Sequence, residues 1–260
     1  MKRTYSSVGC AALVILTASI AAAQTTFPSA QDAAQALVTA VENNDRRALA
    51  DVLGDPDLIS TGDDSQDETD RRKFVEKYQE MHRLTREPDG STVLYVGAEN
   101  WPFPVPILHT DGHWSFDANA GRQEVLMRRI GENETKAAQV CQELVDAEKE
   151  YLATMGHYAH QFVSDSGQHN GLYWEEDHGS LRSPIGPLLA QAGAAHDPTP
   201  FHGYYYRMVS AKGGAVSFVA YPAEYRSSGV MTFFVGLDGV THQRDLGPRT
   251  KQIATTHGPQ

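Results

Sequence analysis

The chain has 260 residues, with 22 Lys and Arg against 33 Asp and Glu, for a formal net charge of −11 at pH 7. So acidic a protein is a poor partner for nucleic acid, whose phosphates require Lys and Arg patches, and anionic membrane surfaces repel it. With 40% apolar residues and only two cysteines, hydrophobic burial rather than a disulfide framework must hold the fold, in one large or two small domains.

The amino-terminal stretch has the order of a secretory signal: Lys2 and Arg3, a mostly apolar run from Val8 to Ile20, then Ala21-Ala22-Ala23 before Gln24. The run is too short to span a bilayer, which takes about 20 apolar residues. Cys10 lies inside it rather than at the cleavage point, which argues against a lipid anchor. Removing residues 1–23 takes away Cys10, Lys2 and Arg3. The mature chain is then more acidic still, keeps Cys141 as its one cysteine and is expected in the periplasm or medium, with no stable membrane insertion.

From Ser29 the pattern is helical, with Ser29 or Asp32 as cap and Ala33, Ala36, Leu37, Ala40 and Val41 at three-four spacing. A second short helix carries Ala48, Leu49, Val52 and Leu53 before Gly54. The stretch "STGDDSQDETD" (60–70) reads as an acidic loop, and a third helix is expected from about Asp70 to Arg86, with Phe74, Val75, Tyr78 and Met81 facing in. "STVLYVG" (91–97) is a strand by its β-branched content. "WPFPVPILH" (101–109) is extended, because its three prolines forbid helix and a central ladder position. Asp111-Gly112 turns the chain into "HWSFD" as hairpin partner.

Helical periodicity resumes after Asp117, with a break expected at Gly131 and a new cap at Asn133. Ala137, Cys141, Leu144, Glu148, Tyr151 and Met155 form one stripe, Cys141 as a buried small hydrophobe and Glu148 at the edge of the packed face. Residues 156–200 are loop-rich, with "GLYWEE" (171–176) and a short helix after Pro187 as exceptions. The remainder is an antiparallel meander: "GYYYRMVS" (203–210), "AVSFVAYP" (215–222), "GVMTFFVG" (229–236) and "VTHQRDLG" (240–247). In the first of these, Tyr204, Tyr206 and Met208 alternate with Tyr205, Arg207 and Val209, so the tyrosine triplet is a strand before it is a platform. The fold class is α+β: N-terminal helices with a small antiparallel meander over 24–118, then a long helix on a C-terminal antiparallel sheet over 119–260.

Recognisable reaction centres are missing from the sequence. It has no His-Glu-x-x-His, Cys-x-x-Cys, Gly-x-Ser-x-Gly or Ser-x-x-Lys, and no glycine-rich phosphate loop after a strand. The acids Asp63, Asp64, Asp67, Glu68 and Asp70 lack the glycine and spacing of a calcium loop and suit a helix lead-in. No catalytic residue, metal or cofactor is therefore expected. A recognition surface, if present, draws on Trp101, Tyr173, Trp174, His202 and Arg207, since aromatics and arginine anchor interfaces.

The segments "GAENWPFPVPIL", "GRQEVLMRRIGENE", "GLYW", "SPIGPL", "FHGYYYRM" and "VAYPAEYRSSGVMTFFVGLDGV" resemble an exported bacterial family known as domain of unknown function 2950. The resemblance implies export, a two-part architecture and no assigned activity. The chain departs from the family in a short connection between "YYYRMVSA" and "SFVAYP", and in Arg226, where the family's pattern has glycine after "AEY". The first half is also similar to nuclear-transport-factor-like cone folds, which often hold a small ligand. The second half looks like the globular head of type IV pilins and pseudopilins, although the pilin leader is missing. Fold alone does not give function. The leading expectation is a non-enzymatic envelope protein that binds another envelope protein or a surface polymer. The alternatives are a small-ligand carrier with a pocket in the first half, or a hydrolase using loop histidines such as His160 or His202.

Overall fold

The computed structural model describes residues 24–55, 57–60, 64–175, 181–210 and 216–256. The signal-like stretch 1–23, Asp63, Glu176, His178 and the short connection at 211–215 lie outside them. The chain is α+β, as its patterning predicts, and divides into two compact units that meet in sequence at Gly121 and Arg122.

In the first unit, α1 (Ala30–Glu42) starts where Ser29 Oγ accepts the Asp32 N–H at 3.1 Å. The Asp45 carboxylate caps α2 (Arg46–Leu53) by accepting the Arg47 and Ala48 N–H groups, and Gly54, at φ +78°, ends it. α3 (Asp64–Glu80) begins earlier and stops sooner than its apolar pattern predicts. The acidic stretch is helical from Asp64, because Asp64 and Asp67 favour the positive end of the helix dipole and Asp67 is buried, accepting Ser60 Oγ–H at 2.7 Å. Past Glu80 the chain reverses into β1 (His82–Arg86), so Met81 is not helical.

β1 pairs antiparallel with β2 (Thr92–Val96), which also pairs with β3 (Trp101–Pro102) and β4 (Ile107–Thr110). β4 turns through Asp111 and Gly112, both at positive φ, into β5 (His113–Phe116). The sheet order is β1-β2-β4-β5. Leu37 and Leu53 from the helices meet Leu94, Ile107 and Phe116 from the sheet in one core, each essentially sealed from solvent. Burial of a side chain of this size contributes about 1.5–3 kcal/mol. Trp114 is half-buried, its ring on that of His109 and its backbone bridged to Phe27.

The second unit is built on α4 (Ala118–Met155), which opens at Asp117, whose Oδ1 accepts the Asn119 and Ala120 N–H groups. The helix runs unbroken through Gly131, against expectation. Asn133 does not cap a new helix; its Nδ2 donates to Ser228 O at 2.9 Å, and Glu134 Oε1 accepts the Val230 and Met231 N–H groups. These long-range bonds hold the helix where local propensity alone would let it stop.

Four strands follow as a meander: β8 (Tyr204–Ser210), β9 (Val216–Pro222), β10 (Met231–Gly236) and β11 (Thr241–Asp245), in the order β11-β10-β9-β8. Before them, β6 (Gln161–Val163) and β7 (Gly171–Tyr173) form a short parallel pair, and α5 (Pro187–Ala192) packs beside it. One face of the meander offers Tyr204, Tyr206, Phe218 and Phe233 to Cys141, Leu144 and Tyr151 of α4. The other face carries Tyr205, Val209, Val219, Tyr221 and Phe234. It is covered by Ala254 of α6 (Thr250–Thr256), a helix that the sequence pattern does not announce. Glu148 sits at the centre of the α4 stripe with no exposure, not at its edge. Cys141 is equally buried, and that burial pushes its thiol up to about 12.

Candidate functional site

The carboxyl end of α4 and the loops after it enclose two adjoining hollows, of about 310 and 370 Å³. Both are lined by Trp174, Arg182 and Pro184; the first adds Tyr151, Thr154, Met155 and Leu181, the second Tyr173 and Ser183. Trp174 is the shared floor. It is 6% exposed, and its Nε1–H donates to Leu181 O at 3.3 Å. Ser183 Oγ clips the floor to the loop, accepting the Trp174 N–H at 2.9 Å and donating to Trp174 O at 2.6 Å. The Ser183 hydroxyl is thus spent on structure and is no free nucleophile.

The same end of α4 gathers rings. Tyr151 O–H donates to His169 O at 2.6 Å, and the His169 imidazole lies 4.5 Å from the Trp174 ring. His157 meets Tyr151 edge-on and stacks over His160 at 6.0 Å. Beneath them Glu148 Oε1 accepts the Ala159 N–H at 2.7 Å. Desolvation pushes the Glu148 carboxyl up, opposed by that hydrogen bond and by His157. Burial and then Glu148 push the Tyr151 hydroxyl up. Among the described residues no group of three or more His, Cys, Asp or Glu side chains is placed to hold a metal ion.

The five residues expected to form a recognition surface are divided between the two units. Trp101 belongs to the first unit, 39% exposed and edge-on to Phe103. The other four belong to the second unit, where Tyr173 and Trp174 share the hollows. His202 sits against Phe201, and α4 faces it with Lys136, Glu143 and Glu132. Glu143 precedes Tyr151 by two helical turns, about 12 Å along the axis. Burial, then Lys136, pushes the His202 imidazole down, against the two glutamates. Arg207 projects from the opposite face of the meander, where its guanidinium donates to Ala254 O at 2.7 Å and fixes α6. Trp174 is a packed floor rather than an open anchor, because alternation in a short parallel strand turns it inward beside Leu172. Sequence reasoning missed Tyr151, Arg182 and Pro184. The signal for the last two was a cation and a proline in the loop that follows an aromatic strand.

In the first unit, hollows of about 400 and 450 Å³ open on the helical surface, between α1 and α2 and between α1 and α3. Among the described residues no helix is long and apolar enough to cross a membrane.

These features define a two-unit α+β protein whose second unit carries a ring-lined hollow. Residues 24–258 match the family described as protein of unknown function (DUF2950), and the chain belongs to that family. No curated protein and no solved structure matches it.

Proposed function

We propose that the mature chain is a non-enzymatic binding module of the bacterial envelope, exported through its amino-terminal signal, which receives an amphipathic side chain of a partner protein in the hollow over Trp174. The observation that carries this reading is the make-up of the hollow. Its lining sets aromatic and aliphatic groups, from Tyr151, Met155, Leu181 and Pro184, beside polar and charged ones, from Glu150, Thr154 and Arg182, and the polar groups supply the larger part of its exposed surface. Among the described residues the Arg182 guanidinium has no hydrogen-bond or ion-pair partner. A hollow with rings and aliphatic groups beside charged ones suits a side chain that has both an apolar body and a polar end, entering among its own polar neighbours. The neighbouring hydroxyls of Tyr151 and Ser183 are committed to backbone carbonyls, which favours binding over chemistry. The single long helix on a four-stranded meander supports a pilin-head-like reading of the second unit, and three helices against a small antiparallel sheet support a cone-like reading of the first.

The test is capture of envelope proteins by the purified mature chain and by two variants. Thr154→Trp fills the hollow from an exposed position, and Arg182→Glu reverses its rim. A partner retained by the wild type and lost with both variants supports the reading. Capture that ignores both variants removes the hollow as the site, and steady turnover of a substrate removes the non-enzymatic reading altogether.

A further inference from the structure

The first residues after the expected cleavage point are built into the fold. Gln24 Nε2 donates to Phe116 O at 2.7 Å and to Val52 O at 3.2 Å, tying the end of β5 to the end of α2. Its carboxamide packs flat against Gly54: a Cβ there would lie 2.8 Å from Gln24 Cδ. Thr25 N–H donates to Asp51 O at 2.9 Å. Phe27 exchanges two backbone hydrogen bonds with Trp114, at 2.7 and 2.9 Å, and puts its ring into the core. The family match also begins at residue 24.

A peptidase holds its substrate extended, with backbone groups on both sides of the scissile bond paired to the enzyme. Cutting between Ala23 and Gln24 therefore needs the side chain of Gln24 and the backbone of Thr25 free of their own fold. Once docked, they become available only by local opening, and cleavage then follows the small open population. We infer that Gln24 to Phe27 form a latch that, once docked, withholds the Gln24 side of the cleavage position from a peptidase, so that signal removal has to precede docking of the amino terminus. This inference rests on the export reading of residues 1–23.

The experiment uses the full-length chain, purified with its signal and folded, and a purified signal peptidase. Cleavage after Ala23 is followed by mass for the folded precursor, for the same precursor unfolded in mild denaturant that the peptidase tolerates, and for folded Gly54→Ala. That variant expels the Gln24 carboxamide without touching the cleavage sequence. The expected result is a folded wild-type precursor cut at least about tenfold more slowly than the unfolded one, with Gly54→Ala intermediate while circular dichroism still shows a cooperative fold. If Gly54→Ala fails to fold, Gln24→Glu, which loses both amide donations, takes its place. Equal rates for folded and unfolded wild type overturn the latch alone. An unfolded precursor that is not cut after Ala23 overturns the export reading, and the latch with it.

Discussion

Glu148 Oε1 accepts the Ala159 N–H at 2.7 Å, while Oε2 of the same carboxyl is buried without a hydrogen-bond partner. The backbone bond and the nearby His157 favour the charged form, desolvation opposes it, and desolvation is the largest effect. Tyr151 is the other titratable group facing the carboxyl. A raised folded-state pKa means that the native chain holds this proton more tightly than the unfolded chain. The associated stability is complete below the ordinary glutamate value of about 4.3 and is lost as pH rises through the folded value. Glu148→Gln keeps the acceptor for Ala159 and removes the titration. The gap in unfolding free energy, variant minus wild type, is expected to grow with rising pH in denaturant titrations between acid and mildly alkaline buffers. A constant gap contradicts the assignment.

Two glycines of the second unit are filled by aromatic neighbours. A Cβ at Gly193 would lie 2.3 Å from Phe162 Cγ, and one at Gly229 would lie 2.2 Å from the Tyr204 hydroxyl oxygen. Phe162 packs edge-on against Phe218, so its ring has little room to retreat. Gly193→Ala is expected to cost about 1–3 kcal/mol by overpacking, and Phe162→Leu in the same chain should recover part of it. Gly229→Ala breaks the bond from Tyr204 O–H to Met231 O and should cost a similar amount. Thermal or denaturant unfolding of the three variants measures both.

Glu134 joins α4 to the start of β10 by accepting two adjacent N–H groups, those of Val230 at 2.9 Å and Met231 at 3.0 Å. Glu134→Ala leaves both donors without their acceptor and is expected to destabilise by about 1.5–3 kcal/mol. Glu134→Gln, which retains an oxygen acceptor, should lose less. Equal losses for the two variants would show that the carboxylate charge, rather than the geometry of acceptance, holds this junction.

Trp174 and Trp101 separate packing from recognition. Trp174 is 6% exposed in the core of its unit, so Trp174→Ala is expected to cost about 3–5 kcal/mol and to disturb partner capture through the fold. Trp101 is 39% exposed, and Trp101→Ala should cost about 1 kcal/mol or less. Partner binding lost in Trp101→Ala at unchanged unfolding midpoint would move the recognition surface to the first unit.

Strands in this chain were legible where β-branched and aromatic residues alternate. The four strands from Tyr204 to Asp245 lie where the pattern places them, and the face of each β8 residue follows from period two. Legibility failed where tertiary partners override local chemistry. His82–Arg86 is an edge strand with charged residues and no alternation of buried and exposed positions, and charge is how edges avoid further pairing. Gly131 reads as a break until Ser228, Val230 and Met231 are seen bonding to Asn133 and Glu134. Glu148 reads as an edge charge, because no periodicity reveals that the Ala159 N–H waits for it eleven residues on. The hollow over Trp174 was half legible: the aromatic pair 173–174 marks its floor, whereas Tyr151 and Arg182 reach it only through the return of the loops onto α4.

Arg226 is a non-glycine residue whose φ of +63° lies in the left-handed region that favours glycine. Its N–H donates to Gly229 O at 2.8 Å, closing the tight turn after β9. A side chain with a Cβ pays roughly 1–2 kcal/mol for that conformation, and glycine gives back part of the gain through its freer unfolded chain. The guanidinium lies 5.5 Å from the Tyr225 ring, a weak contact at an exposed site that glycine would forfeit. Arg226→Gly is therefore expected to stabilise by about 0.5–1 kcal/mol, and Arg226→Ala, which keeps the Cβ and loses the ring contact, should not. Denaturant midpoints of the two variants decide it. A gain shared by both would place the effect in the arginine's charge instead of in the turn.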